Sequence, residues 1–266
     1  MKWVITLFFI ALVVAMTCVN WGGHQGPALN VIGSNSVQPF AEMLAERYNE
    51  RQTEYVVDVQ GGGSTVGLQA TVDAIAHVGM CSRELKKDEK ERFKEVVIAR
   101  DGLAIVVHPS NPVANLKRDQ IRRIFNGEIT NWKDAGGPDA PIRLIVREES
   151  SGTREAFMKL VMGKDRVSRK AISQDSNGAI KELVKADRLA IGFMSLGLVT
   201  KELKATRVDG IEATIGAVID KSYPLVRPFL FVTIGEPNEQ ARKFIEYVLS
   251  DGAQQALEKE GLVRAR

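Results

Sequence analysis

The chain of 266 residues has few of the side chains that build metal or covalent sites: two cysteines and three histidines. His24, His77 and His108 are scattered, and none has a companion at the spacing of metal ligands, so the sequence predicts no metal centre. It predicts no other cofactor either. The one disulfide available is Cys18 with Cys81, and it is lost if Cys18 carries a lipid.

Several functional motifs are also missing. Neither G-x-G-x-x-G nor G-x-x-x-x-G-K-[ST] occurs, which argues against dinucleotide and nucleoside-triphosphate binding. The net charge is only +3 and basic residues are mixed with acidic ones, so no nucleic-acid partner is predicted. The absence of G-x-S-x-G, and of a histidine near Ser64 or Ser151, disfavours a hydrolase with a serine nucleophile.

One long apolar run is present, Trp3–Met16, interrupted only by Thr6. It is short for a membrane span, which needs ~20 residues, and typical of the apolar region of a secretory signal. The residues before Cys18 approximate a lipoprotein cleavage site, although Thr17 stands where a smaller residue is usual. We interpret residues 1–18 as a signal with Cys18 lipidated, and residues 19–28 as a tether. An uncleaved anchor and a plain signal peptide are the alternatives, and all three predict a periplasmic or other extracytoplasmic location.

The segment Arg147-Glu-Glu-Ser-Ser-Gly-Thr153 has the composition of an anion-binding turn. A buried strand is predicted before it and an amphipathic helix after it. The first amides of a helix have no partner within the helix, and hydroxyl donors at Ser151 and Thr153 add to them. Gly152 lets an anion approach the backbone closely. The alternative is that Ser151 is only a helix cap.

Comparable turns occur at Gly33-Ser-Asn-Ser-Val37 and at Gly61-Gly-Gly-Ser64-Thr65, each between a predicted strand and a predicted helix. A fourth polar helix start, Ser173–Gly178, carries no basic residue. Each turn alone could reflect capping or loop flexibility. Together with Arg147 they favour an anion site built from several helix starts.

Strand and helix patterns alternate along the chain, which predicts an α/β protein with parallel sheets covered by helices. Tyr223–Pro228 has the pattern of an extended crossing strand, and Glu239–Leu257 of terminal helices. Trp132 is interpreted as a packing anchor.

These motifs resemble the phosphate-binding component of bacterial ABC transporters, in the short-chain branch of that family. The similarity runs from about Leu29 to Val263 and is most specific in four segments. They are Ile121–Trp132, Arg147–Thr153, Ser176–Ile180 and Ala190–Phe193. The resemblance implies a type II periplasmic binding protein fold: two α/β lobes, joined by crossing strands, with the ligand cleft between them. It implies a first lobe of residues 29–107 and 225–266 and a second lobe of residues 108–224.

The resemblance also implies a non-enzymatic, monomeric receptor that captures inorganic phosphate and delivers it to the permease subunits of an ABC transporter. The residues carried over by motif are Ser34, Asn35, Ser36, Val37, Ser64, Arg147, Ser151, Gly152 and Thr153, with Ser82, Arg83 and Asn177 as further candidates. Glu149 matches an acidic position that steadies the arginine.

One departure from the family concerns selectivity. Many members carry an aspartate after the third strand, where this chain has Cys81-Ser82-Arg83. That aspartate can accept a hydrogen bond from the proton that monohydrogen phosphate carries and sulfate lacks. Two expectations remain open for Arg83, contact with the anion or exposure to solvent. A receptor for another oxyanion such as sulfate or molybdate, a phosphate-ester hydrolase and a sensory binding module are the alternative functions.

Overall fold

A computed structural model describes residues 27–265, so the predicted signal at residues 1–18, its Cys18 and most of the predicted tether lie outside the described residues. The first strand already begins at Ala28. Within residues 27–265, no helix is long and apolar enough to cross a membrane.

The strands are β1 Ala28–Gly33, β2 Val56–Gln60, β3 Val78–Cys81, β4 Phe93–Val107, β5 Asn115–Leu116, β6 Arg143–Arg147, β7 Ile172–Gln174, β8 Ala190–Ser195, β9 Lys204–Ala205, β10 Arg207–Val208, β11 Val226–Ile234 and β12 Val263–Arg264. The α-helices are α1 Gln38–Asn49, α2 Ser64–Val72, α3 Lys87–Arg92, α4 Arg118–Phe125, α5 Gly152–Phe157, α6 Asn177–Ala186, α7 Ile215–Ile219, α8 Glu239–Val248 and α9 Asp251–Lys259. Short 3₁₀ turns form at Trp132–Ala135 and Leu196–Leu198, and α5 continues into a π-helical turn at Met158–Met162.

The strands follow the order β2-β1-β3-β11-β4-β8-β6-β7. The first four surround one hydrophobic core, in which Leu44 and Phe40 of α1 pack with Phe244 of α8. We call this half the first lobe. Pro39 lies in the first turn of α1, where its missing N–H leaves no hydrogen bond unmade.

Strands β8, β6 and β7 and helices α4, α5 and α6 form the second lobe, which has its own core around Phe125, Phe157 and Phe193. The rings of Phe157 and Phe193 stack with their centroids 4.1 Å apart. Trp132 is fully buried in this core, and its indole N–H donates to the carbonyl of Leu189 over 3.0 Å. The interpretation of Trp132 as a packing anchor is confirmed.

Strands β4 and β11 run through both lobes. Residues of β4 up to Ala99 pack in the first core, and those from Leu103 onward pack in the second. Pairing is parallel for β1 with β2 and β3 and for β6 with β7 and β8, but β11 pairs antiparallel with β3 and β4, and β4 antiparallel with β8. The predicted parallel pairing is thus found within each lobe, whereas the crossing strands β4 and β11 pair antiparallel because they run in opposite directions between the lobes.

Candidate anion-binding site

Four helix starts meet where the lobes face each other. In the first lobe, the parallel neighbours β1 and β2 lead into α1 and α2. In the second lobe, the parallel neighbours β6 and β7 lead into α5 and α6. Parallel strands place their carboxyl ends at one edge of a sheet, so each lobe contributes two polar turns to the cleft. All four turns predicted from the sequence are therefore brought together.

The central contact is between hydroxyls of opposite lobes. Ser36 Oγ and Thr153 Oγ1 are 2.7 Å apart, and both side chains are buried. Asn177 Nδ2 donates to Ser36 Oγ over 3.0 Å. Thus Asn177, a candidate from the fourth helix start, lies directly in the site.

A second group of hydroxyls comes from the residues that follow β1 and β3 and from the start of α2. Ser34 Oγ donates to Ser82 Oγ over 2.8 Å, and the backbone N–H of Ser82 donates to Ser64 Oγ over 3.1 Å. All three residues are buried. A hydroxyl can both donate and accept, so this serine group can provide donors and an acceptor to the same ligand.

Gly152 fits because no side chain can stand at its position. A Cβ atom there would lie 2.1 Å from Ser64 Oγ and 2.8 Å from Ser82 Oγ. Ser151 Oγ caps α5 by accepting from the N–H of Arg154 at 3.3 Å. The capping alternative for Ser151 therefore describes its contact in this structure, within a turn that also belongs to the site.

Val37 and Asn35 lie at the edge of the arrangement. The Val37 side chain packs in the first core, and its N–H donates to the carbonyl of Ser34. Asn35 links the lobes, because its Oδ1 accepts from the N–H of Gly62 and its Nδ2 donates to the carbonyl of Asp175. Their side chains are placed to shape and close the cleft.

Arg147 ends β6 and is 1% exposed. Its Nε and Nη2 donate to the two carboxylate oxygens of Glu148 over 2.9 and 3.0 Å, and they also donate to the carbonyls of Gln174 and Asp175. Nη1 is buried and, among residues 27–265, has no hydrogen-bond partner. The expectation that Glu149 steadies this arginine is wrong, because Glu149 is exposed and Glu148 makes the contact.

A second buried arginine was not found from the sequence. Arg227 on β11 lies opposite Asp101 on β4, and its Nε and Nη2 donate to Asp101 Oδ2 over 3.0 and 2.9 Å. Its Nη1 donates to Thr153 Oγ1 over 2.6 Å and to the carbonyl of Ser82 over 3.2 Å. The available signal was Arg227 as the single charged residue of the otherwise apolar β11. Its partner Asp101 is one of four charged residues in β4, so the pair could be found only with knowledge of the strand pairing.

Arg83 is buried, so the expectation that it is exposed to solvent is wrong, while its contact with the anion stays a prediction. It is 4% exposed, and its guanidinium contacts Glu89 of its own lobe and Glu155 of the second lobe. Burial lowers the pKa of Arg83, but the two carboxylates outweigh this and raise it. Lys86 also pairs with Glu155, and Lys159 pairs with Glu84, so these charges link the lobes beside the site.

The arrangement can bind an oxyanion. It offers hydroxyls from both lobes, a buried guanidinium N–H that finds no acceptor within residues 27–265, and helix starts directed to one region. No group of three or more metal-binding side chains occurs within the described part of the chain.

Comparisons with known proteins agree with this chemistry. A family model for a PBP superfamily domain matches residues 22–252. The phosphate-binding protein PstS of Bacillus subtilis is 30% identical over 236 residues, which span 86% of this chain and 78% of the relative. The phosphate-binding protein PstS of Borreliella burgdorferi is 28% identical over 275 residues, spanning 98% of each chain.

Solved structures show the same similarity. A Clostridium perfringens chain, assigned as a phosphate ABC transporter substrate-binding protein and solved with bound phosphate, is 38% identical with a TM-score of 0.86. The similarity covers 90% of this chain and 100% of the Clostridium perfringens chain. An ABC-type phosphate transport receptor from Vibrio cholerae is 38% identical with a TM-score of 0.77, over 88% of this chain and 99% of that one.

Proposed function

Because the chain belongs to the PBP superfamily, and within it to the PstS-type phosphate-binding proteins, we propose that it captures inorganic phosphate between its lobes. It then delivers the anion to the permease subunits of an ABC transporter outside the cytoplasm. The family consists of substrate-binding proteins of transporters, so its members are not enzymes.

The observation that carries this proposal is the buried Nη1 of Arg147, which has no acceptor among the described residues. Leaving such a donor unpaired costs about 1–3 kcal/mol, and more when the group is charged. A phosphate oxygen at this position would accept that hydrogen bond. The Ser36 and Thr153 hydroxyls, from opposite lobes, would contact further oxygens of the same anion.

The site can bind an anion although its cations do not outnumber its carboxylates. Glu148 and Asp101 pair with Arg147 and Arg227, so the two guanidinium charges near the site are already balanced. Recognition then depends on directed N–H and O–H donors in a site that excludes water, where hydrogen bonds are stronger than in solvent. Such a site distinguishes small oxyanions by their shape and by the number of protons that they carry.

The protein captures the anion by closure of its two lobes around it. The contacts between Ser36 and Thr153 and between Asn35 and Asp175 join the lobes directly over the site. An anion that contacts both lobes stabilises this closed arrangement over an open one by its differential affinity. We place the first lobe at residues 29–107 and 225–266 and the second at residues 108–224, with β4 and β11 as the connection.

The remaining parts of the proposal rest on the sequence. The protein is a monomer, and a lipid on Cys18 anchors it to the outer face of the membrane. The ligand contacts are Ser34, Asn35, Ser36, Val37, Ser64, Arg147, Ser151, Gly152 and Thr153, with Ser82 and Asn177 beside them.

Calorimetric titration of the purified protein with phosphate, sulfate and molybdate tests the proposal. We expect phosphate to bind with one site per chain and more tightly than the other two anions. Stronger binding of sulfate or molybdate would identify a receptor for that anion. Release of phosphate from a phosphate monoester by the same preparation would instead identify a hydrolase.

A further inference from the structure

The six residues that connect the two lobes around Thr153 form a closed ring of polar contacts. Asp101 Oδ1 accepts from Ser195 Oγ over 2.9 Å, and the N–H of Ser195 donates to Asn177 Oδ1 over 3.2 Å. Asn177 donates to Ser36, whose hydroxyl contacts Thr153. Arg227 closes the ring by donating to both Thr153 and Asp101.

The Asp101–Arg227 pair lies where the two hydrophobic cores meet. On β4, Ala99 packs in the first core and Leu103 in the second. On β11 and the residues before it, Leu225 packs in the second core and Phe229 in the first. The two charged residues, 1% and 2% exposed, therefore occupy the point where the chain crosses between lobes.

Hydrogen counting shows what the ring does to the two central hydroxyls. Thr153 Oγ1 accepts from Arg227 Nη1, and Ser36 Oγ accepts from Asn177 Nδ2. One hydroxyl hydrogen then joins Ser36 to Thr153. The hydrogen of the other hydroxyl is left for an acceptor outside the ring, and a phosphate oxygen is such an acceptor.

Arg227 also adds a second buried cation. Burial lowers the pKa of its guanidinium, Asp101 opposes this shift, and the nearby Arg147 cation lowers the pKa further. The site therefore has a second guanidinium near that of Arg147, and each is paired with its own carboxylate, Asp101 for Arg227 and Glu148 for Arg147.

We propose that Arg227, held in place by Asp101, is a positioning residue of the phosphate site. By donating to Thr153 Oγ1 it orients the Ser36–Thr153 hydroxyl pair so that one hydroxyl hydrogen is directed toward the anion, and it connects Thr153 to the Ser82 carbonyl of the opposite lobe. This inference rests on the proposed function. The competing view is that the ion pair only stabilises the crossing strands.

The test is a double-mutant cycle between Arg227→Lys and Thr153→Val, read by calorimetric titration with phosphate. Lysine keeps the charge but cannot reach Asp101 in two bonds and Thr153 in a third. We expect Arg227→Lys to weaken phosphate binding by about 10- to 100-fold in the wild-type background. In the Thr153→Val background the same substitution is expected to change the Kd less than about 3-fold, because the hydroxyl it positions is gone.

Two further variants separate positioning from stability. Tyr223→Phe removes another buried hydrogen bond at the crossing, from the Tyr223 hydroxyl to the carbonyl of Leu103, and is expected to leave the Kd unchanged. The pair Asp101→Asn with Arg227→Gln removes both buried charges together, which avoids leaving one unpaired. We expect it to fold and to lose phosphate affinity as Arg227→Lys does.

The outcomes are distinct. Wild-type affinity in folded Arg227→Lys or in the neutral pair, or equal losses in both Thr153 backgrounds, would overturn the positioning role. A wild-type protein that does not bind phosphate would overturn the proposed function and this inference with it. The positioning role would be supported if Arg227→Lys weakens phosphate binding only when Thr153 is present, and if Tyr223→Phe leaves the Kd unchanged.

Discussion

Ser36 and Thr153 are separated by 117 positions in the chain, yet their hydroxyl oxygens lie 2.7 Å apart at the meeting point of the two lobes. We expect Ser36→Ala and Thr153→Val each to weaken phosphate binding by about 10-fold, since the pair directs one hydroxyl hydrogen to the charged ligand and either substitution disrupts the pair. The double variant should lose less than the product of the single losses because the hydroxyls share one hydrogen bond. Titration calorimetry measures all three. Independent, multiplicative losses would contradict the shared site.

Arg147→Ala is expected to weaken phosphate binding by about 100-fold, because it removes the buried charged donor and leaves the Glu148 carboxylate unpaired beside the site. Arg143→Ala is the matched control on the same strand, since Arg143 is exposed and pairs with Asp187. It should bind phosphate as the wild type does. Equal affinities of the two variants would remove Arg147 from the site.

Selectivity depends on an acceptor for the phosphate proton. The carboxylates of Asp101 and Glu148 are occupied by arginines, which leaves the serine group of Ser34, Ser64 and Ser82. We expect wild type to prefer phosphate over sulfate, and Ser82→Asp to enlarge that preference, because a carboxylate accepts a hydrogen bond from the phosphate O–H and repels sulfate.

Competitive titration of phosphate and sulfate at fixed pH and ionic strength measures this ratio. Ser82→Ala is the opposite variant, which removes the acceptor. It should reduce the preference for phosphate, since a hydrogen-bond acceptor for the phosphate O–H is worth about 1–3 kcal/mol. If wild type excludes sulfate as completely as Ser82→Asp does, the phosphate O–H donates to an acceptor other than the serine group, and this account of selectivity is wrong.

The ion pair between Glu84 and Lys159 joins the lobes, so acid should weaken the closed arrangement. The Lys159 ammonium lowers the pKa of the Glu84 carboxyl, and partial burial opposes this. A carboxyl with a lowered pKa contributes stability above its ordinary pKa of about 4.3, and that contribution is lost as the pH falls through the lowered value.

Urea unfolding of wild type and Glu84→Gln in saturating phosphate measures this contribution. We expect a difference in unfolding free energy below about 1 kcal/mol near pH 7, because the pair is exposed, and a smaller difference as the pH falls through the lowered pKa of Glu84. Glu236→Gln, which breaks an exposed pair with Lys94 that does not cross the cleft, is the control for protonation elsewhere. If the difference in unfolding free energy between wild type and Glu84→Gln grows as the pH falls, the predicted direction of the pH dependence is wrong.

The prediction for the N-terminus concerns Cys18. Mass spectrometry of the membrane fraction should find a mature chain that begins at Cys18 with acyl mass added, and Cys18→Ser should release the protein from the membrane. A mature protein that retains Met1 would reject lipidation and favour an anchor that is not cleaved.

Much of the fold could be predicted because its signals are local. Glycine and serine between a strand pattern and a helix pattern predicted the turns at Ser36, Ser64 and Ser151, and the predicted two-lobed α/β fold is confirmed by family and structural similarity. The direction of the crossing strands could not be predicted, because it depends on pairing between β4 and β11 far apart in sequence.

The same limit applies to side chains in the site. Arg147 was visible because it lies next to its turn, whereas the Asp101–Arg227 pair spans two strands and leaves no local motif. Glu148 and Glu149 are adjacent acids, and the sequence could not show which of them turns inward toward Arg147. The partners of Arg83 likewise come from two lobes, so neither sequence expectation included them.

A crystal structure of the protein with phosphate tests the central claim most directly. We predict one phosphate ion between the lobes, with an oxygen bound to Arg147 Nη1 and other oxygens bound to the hydroxyls of Ser36, Thr153 and the serine group. Phosphate bound elsewhere, for example only at the exposed cations Arg166 and Arg169 on the second lobe, with Arg147 Nη1 making no contact to it, would contradict the account.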